Sequence, residues 1–292
     1  MIIELAIAAG FLAQAAPQPA HEERTRMLWD STFLPKRPPA RKPGAIMAAP
    51  PSVPRTNPRA EPPKQAEDGF LGVTLWLLRP SLPADERGAR LLVHPKNKPP
   101  EEWTPERIST DTPLRKDQKI RISIEAARAG YLYVIDREEY RDGSLGDPHL
   151  IFPTANLRKG NNRVEPGALV EIPAWSDDPP YWELDRSRPD QVGEMLTVLV
   201  TPQPLPGVRV ADSAQKLGHA QVAEWEKQWG ATVQRLEAAQ LLGKPYTSGE
   251  KQAAQDNGQL LSQDDPAPQT MYRVDVKPGD PLLVKVAIRI RP

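Results

Sequence analysis

The stretch Val284-Lys285-Val286-Ala287-Ile288-Arg289-Ile290-Arg291 decides the fold class. Val284, Val286, Ile288 and Ile290 fall on one side of an extended chain; Lys285, Ala287, Arg289 and Arg291 fall on the other. A period of two is that of a strand with one face on a core and one in water. The same reading extends backwards through Gly72–Leu78, Ile120–Glu125, Tyr131–Asp136, Leu150–Phe152, Leu169–Ile172, Met195–Val200 and Tyr272–Val276, rich in β-branched and aromatic residues. Asp142-Gly143, Lys159-Gly160-Asn161-Asn162, Pro166-Gly167 and Pro278-Gly279 separate the runs as turn signals. The gaps are too short for the crossover helices of a parallel sheet. The expectation is a mainly β chain, an antiparallel β-sandwich or partly open barrel.

Helix signals cluster near 212–256, which reads as an α-helical insertion. Val222, Trp225, Trp229, Val233 and Leu236 are spaced by three and four, an amphipathic stripe that predicts packing against the sheet. Thr247 and Glu250 form a capping-box pattern that opens a second short helix.

The chain has 292 residues, 38 Lys+Arg, 38 Asp+Glu, 35 Pro and no Cys. Zero net charge argues against a nucleic-acid partner, which attracts a basic surplus. Without Cys there are no disulfides, thiolate metal sites or Cys nucleophiles. Proline is about 12% of the chain, against a usual share near 5%, and it is unevenly placed: ten lie between Pro35 and Pro63. Proline fixes φ and removes a donor, so 17–66 reads as a disordered, basic, Pro-rich spacer. Within it, Met27, Leu28, Trp29, Phe33 and Leu34 form an apolar patch suited to docking on the domain or on a partner.

Residues 1–16 read as a signal peptide. Ile2 to Ala16 has the length of an apolar h-region, and Ala13-Gln14-Ala15 fits the small-x-small cleavage rule. The n-region lacks Lys and Arg and carries Glu4, so an ordinary buried helix, or a misplaced start, is the alternative. No later stretch is apolar for long enough to span a bilayer. The expected localisation is export: periplasm, cell envelope or medium. The expected domain is 67–292.

Within 130–202 the chain resembles the bacterial domain-of-unknown-function family 4384. The resemblance rests on Gly130-Tyr131-Leu132-Tyr133, Asp142-Gly143, Ile151-Phe152-Pro153, Asn162, Val164, Gly167, Ile172-Pro173 and Gly193-Glu194, with Ile151 where the family has Leu. The flanks, out to about 70–292, resemble longer versions of the family. The resemblance implies an accessory module, of a kind often joined to caspase-like peptidase or kinase domains. It carries no catalytic residues to transfer.

The residues themselves offer few chemistries. Gly143-Ser144-Leu145-Gly146 misses the nucleophile-elbow spacing. The histidines show no zinc spacing, and there is no phosphate-cradling Gly loop. Two loops remain as candidates. In WSDDPPYW, Trp175, Asp177, Asp178, Tyr181 and Trp182 combine amphipathic rings with acids and suit a binding rim. The competing reading is a loop pinned to the sandwich by its rings. In RDGSLGDP, Asp142 and Asp147, with the nearby Asp136, are candidate calcium ligands; the competing reading is an Asp-Gly turn. The expected function is a non-catalytic, exported or envelope-associated module that binds a protein partner and needs no cofactor. The alternative is a glycan- or calcium-binding sandwich, and a carboxylate-dependent hydrolase ranks last.

Overall fold

A computed structural model describes residues 19–40, 69–93, 99–255 and 259–291. The 1–16 segment, and the 41–66 part of the expected spacer, lie outside the described residues.

Two antiparallel sheets pack face to face. The first has eight strands: β1 (Gly69–Pro80), β2 (Leu91–Val93), β3 (Glu101–Ile108), β4 (Lys119–Ala126), β8 (Leu169–Ile172), β9 (Trp182–Glu183), β12 (Val233–Glu237) and β13 (Thr270–Val274). The second has six: β5 (Gly130–Tyr140), β6 (His149–Phe152), β7 (Arg163–Val164), β10 (Gln191–Thr201), β11 (Gln215–Lys216) and β14 (Leu282–Arg289). In the first, the order β12-β13-β1-β3-β2 leaves β2 at an edge, and β4 pairs β1, β8 and β9. In the second, the order is β11-β6-β5-β10-β14, with β7 on β5. Neither sheet closes, so the architecture is a sandwich and not a barrel.

The inner faces form one core. Leu71, Val73, Leu75, Ile122 and Ile124 of the first sheet meet Leu132, Val134, Val198, Val284 and Val286 of the second. Burial of apolar area at about 25 cal/mol per Å² is the main stabilising term for such a core. The alternation in β14 holds: Val284, Val286 and Ile288 are buried, and Lys285 and Arg289 are exposed. Gly143, Gly160, Gly167 and Gly279 all have positive φ, the backbone conformation their turn signals demand.

β4 departs from the half-wet pattern. Its polar residues Arg121, Ser123 and Glu125 are as buried as Ile120, Ile122 and Ile124. The outer face of this sheet is roofed, and the roof and the neighbouring strand β8 supply partners. Arg37 pairs with Glu125 at 2.7 Å, Arg121 pairs with Glu171 at 2.6 Å, and Arg107 pairs with Glu250.

Part of the roof comes from the expected spacer. Residues 19–37 carry α1 (Pro19–Leu28), a π-type turn (Trp29–Phe33) and a 3-10 turn (Leu34–Lys36). Phe33 is buried against Phe70, Leu236 and Met271. Of the two docking outcomes expected for the apolar patch, the domain itself is the one seen.

The 212–256 region holds α2 (His219–Trp229) and α3 (Ser248–Ala254), but also β12. The expected helix through Leu236 stops at Gly230, and Val233–Glu237 pairs with β13 instead. Val233 is exposed and Leu236 buried, a strand alternation that the spacing by three and four imitated. Trp225 and Trp229 stack at 6.1 Å between ring centres and pack over the outer face of the six-stranded sheet, against the cluster of Tyr133, Ile135 and Leu199. The capping box at Thr247 and Glu250 is formed. Among the described residues no helix is long and apolar enough to cross a membrane.

Candidate functional site

Four of the five residues expected at a binding rim converge on one groove. Trp175, Asp177, Asp178 and Tyr181 line a cleft of about 450 Å³ with edge strand β2 and with Lys251 and Gln255 at the end of α3. The loop that carries them follows β8. Asp177 shapes its start: its carboxylate accepts the Ala174 N–H at 2.8 Å, and its own N–H donates to the Ala174 carbonyl. Asp178 is exposed at the rim.

A buried hydrogen-bond chain fixes the loop to the sheet. Trp76 Nε1 donates to Ser123 Oγ at 2.6 Å, and Ser123 Oγ donates to Glu171 Oε1 at 2.8 Å. Arg121 binds the other Glu171 oxygen and also donates to the Pro180 carbonyl within the loop. Trp76, Arg121 and Glu171 are almost fully buried, so these bonds form where water competes least. Tyr246 packs edge-on against Trp76 at 4.8 Å between ring centres, and its hydroxyl accepts from Trp175 Nε1 at 3.2 Å. Burial raises the Tyr246 phenol well above its ordinary range. α3 is held by the Arg107–Glu250 pair; burial pushes the Glu250 carboxyl up, while Arg107 and the capping Thr247 pull it down.

The rings in the groove already face cations. The Arg121 guanidinium lies 4.6 Å and Lys251 Nζ 4.4 Å from the Trp175 ring centre. Lys119 Nζ lies 5.2 Å from the Tyr181 ring and 5.4 Å from the Trp103 ring on β3. A sugar platform needs an open ring face, and these contacts compete for it. Lys251 Nζ also donates to the Arg90 carbonyl beside β2, and burial lowers its pKa.

Trp182 does not join the groove. As the first residue of β9 it pairs with Ile120 and leans on the main core. The three candidate calcium ligands are also apart. The Asp142 carboxylate accepts from both the N–H and the hydroxyl of Ser144, which holds the turn and keeps its pKa low. Asp147 pairs with Lys216 and His219. Asp136 sits on the inner side of β5. Among the described residues no group of three or more His, Cys, Asp or Glu is placed to hold a metal ion.

The sequence reading missed Lys251, Tyr246, Arg121 and β2 as parts of the site. Glu171 carried a signal, since it interrupts the apolar run of β8, whereas Arg121 passed as one of the alternating polar residues of β4; pairing them required knowing that β4 and β8 are neighbours. No family model, curated protein or solved structure matches the chain.

Proposed function

We propose that this chain is a non-catalytic, exported accessory module that binds an extended segment of a partner protein along β2. The observation that carries the reading is the coincidence of a sheet edge with a built groove. Among the described residues β2 pairs only with β3, so its far edge offers backbone donors and acceptors. Leu92, in the middle of β2, is 54% exposed. An added strand takes its affinity from main-chain hydrogen bonds and its specificity from side-chain pockets beside the edge. Here those pockets are formed by Trp175, Asp177, Tyr181 and Lys251. Export is supported by the apolar leader and its Ala-x-Ala site, and accessory status by the family resemblance.

Protein binding is favoured over glycan binding because the aromatic faces are engaged by Lys and Arg. The calcium reading lacks converging acids among the described residues. The test is selection of displayed extended peptides against the full chain. The reading expects selected peptides to lose about tenfold or more in affinity with Tyr181→Ala or Asp178→Lys and to keep it with Lys227→Glu on α2. Peptides insensitive to the groove variants would contradict it.

A further inference from the structure

At one end of the sandwich the inner face of the six-stranded sheet turns from apolar to acidic. Along β5, Leu132, Val134, Asp136 and Glu138 share the inner side; along β10, Val200, Val198, Leu196 and Glu194 do. The register sets Asp136 opposite Leu196 and Glu194 opposite Glu138, so Asp136 and Glu194 are diagonal neighbours. With Trp182 of β9 and Leu184 just beyond it, and Leu196 and Ile288 from their own sheet, they line a cavity of about 190 Å³ between the sheets, whose wall also holds Glu183 and Asp185. Asp136 Oδ1 and Glu194 Oε2 are buried with no hydrogen-bond partner. Glu194 Oε1 accepts from Gln191 at 2.7 Å.

Native proteins rarely leave buried carboxylate oxygens unpaired, and such atoms call for an occupant. No Lys or Arg lines the cavity. The two cations at its mouth are engaged: Lys116 pairs with Asp185 at 3.0 Å and Lys119 with Glu183 at 3.5 Å. On β5 itself Glu138 receives the Tyr140 hydroxyl and the Arg137 backbone hydrogen-bonds Asp136, and from β6 His149 lies near Asp136. Burial pushes Asp136 up to about 6. Burial, Asp136 and Glu138 push Glu194 up to about 8. A hard metal ion needs a shell of oxygens, and among the described residues no three acids are placed to supply one; Ile120, Trp182, Leu184, Leu196 and Ile288 make the rest of the wall hydrocarbon. An ammonium on an unbranched stem matches both parts: N–H donors for two carboxylates, methylenes for the apolar wall.

We propose that the inter-sheet cavity binds an aliphatic amine, with its ammonium on Asp136 and Glu194 and its stem along Trp182, Leu184, Leu196 and Ile288. A free amine and the lysine side chain of a partner share this chemistry. The site is separate from the β2 groove and does not depend on that groove's function. Occupancy requires both carboxyls ionised, so binding expels protons and tightens as pH rises through the range where Glu194 titrates.

The test is calorimetric titration of the full chain with n-pentylamine, 1,5-diaminopentane and Nα-acetyl-lysine amide at pH 6.0 and 8.5, in buffers of different ionisation heat. These amines stay protonated over that range, as lysine does. The proposal expects saturable binding of at least one amine, at least about tenfold tighter at the higher pH, with proton release. n-Pentanol should not bind. A preference for the free amines assigns a small-molecule ligand, and a preference for the lysine amide assigns a partner's side chain. Asp136→Asn and, separately, Glu194→Gln should each weaken binding about tenfold or more, while Glu224→Gln, exposed on α2, should not. Both are near-isosteric, and circular dichroism checks the fold of each. No saturable binding of any amine at pH 8.5, or binding indifferent to both variants, overturns the proposal.

Discussion

Arg121 sits on a strand whose polar and apolar residues alternate and are equally buried, and it lies beside Glu171 with almost no exposure. Its guanidinium joins a sheet, a loop and an aromatic ring: Glu171, Pro180 and Trp175. Removing one partner of a buried pair leaves an uncompensated charge and costs about 3–5 kcal/mol. Arg121→Ala should therefore shift the urea midpoint by that equivalent and should also weaken groove binding. A change near zero would mean that Glu171 finds another partner.

Asp136 and Glu194 act in the opposite sense. Their folded pKa values, about 6 and about 8, lie above ordinary carboxylate values. The native state then holds protons that the unfolded chain has lost, so their contribution to stability is greatest below about pH 4 and fades as pH rises to about 8. The double variant Asp136→Asn, Glu194→Gln should match the parent near pH 4 and exceed it by a few kcal/mol, order of magnitude, at pH 8. Urea titrations at both pH values check this, and equal stability at pH 8 would contradict it.

Elements differ in how openly the sequence declares them. β14 was legible because a strand with one covered face writes its burial as alternation, and β10 because a strand buried on both faces writes it as an apolar, β-branched run. β3 was not, because Pro105 lacks an N–H and sits inside it; its carbonyl serves the roof instead, accepting the Tyr246 N–H at 2.9 Å. β12 was hidden because Val233 and Leu236 continue the spacing of α2, and only the break at Gly230 separates them. The WSDDPPYW loop was recognised as a unit, yet Trp182 turns to the core because β9 begins there. Asp142 and Asp147 looked like ligands because sequence does not show that Ser144, Lys216 and His219 already use them. A further element-scale prediction concerns β10. A Cβ on Gly193 would lie 2.4 Å from the Ile288 carbonyl of β14, next to a register shift in β10. Gly193→Ala should destabilise by about 1–3 kcal/mol, as overpacking does, and thermal melting measures it. An unchanged melting temperature would show that the β10–β14 pairing can open there without loss.

At the scale of the molecule, the sandwich is sealed on both outer faces. α2 covers one, and the roof formed by residues 33–37, the loop after β8 and residues 244–255 and 259–268 covers the other. The Pro-rich composition concealed that the stretch before the prolines is part of this roof. Phe33 and Arg37 are its anchors, and Arg37 meets Glu125 deep under it. Deleting residues 1–40 should cost about 3–5 kcal/mol from the orphaned Glu125 alone, besides the lost apolar burial. Calorimetric melting of the truncated chain measures the loss, and unchanged stability would show that the segment only rests on the surface.

The central claim is that β2 and the loop after β8 form the face that meets a partner. The most direct measurement places a photo-crosslinking residue at Leu92 or at Tyr181, with Lys227 on α2 as the control, in cells that make the full chain. The account predicts one protein adduct shared by positions 92 and 181, absent at 227, and lost when Asp178→Lys is added. An adduct formed equally at 227, or none at either groove position, would contradict it.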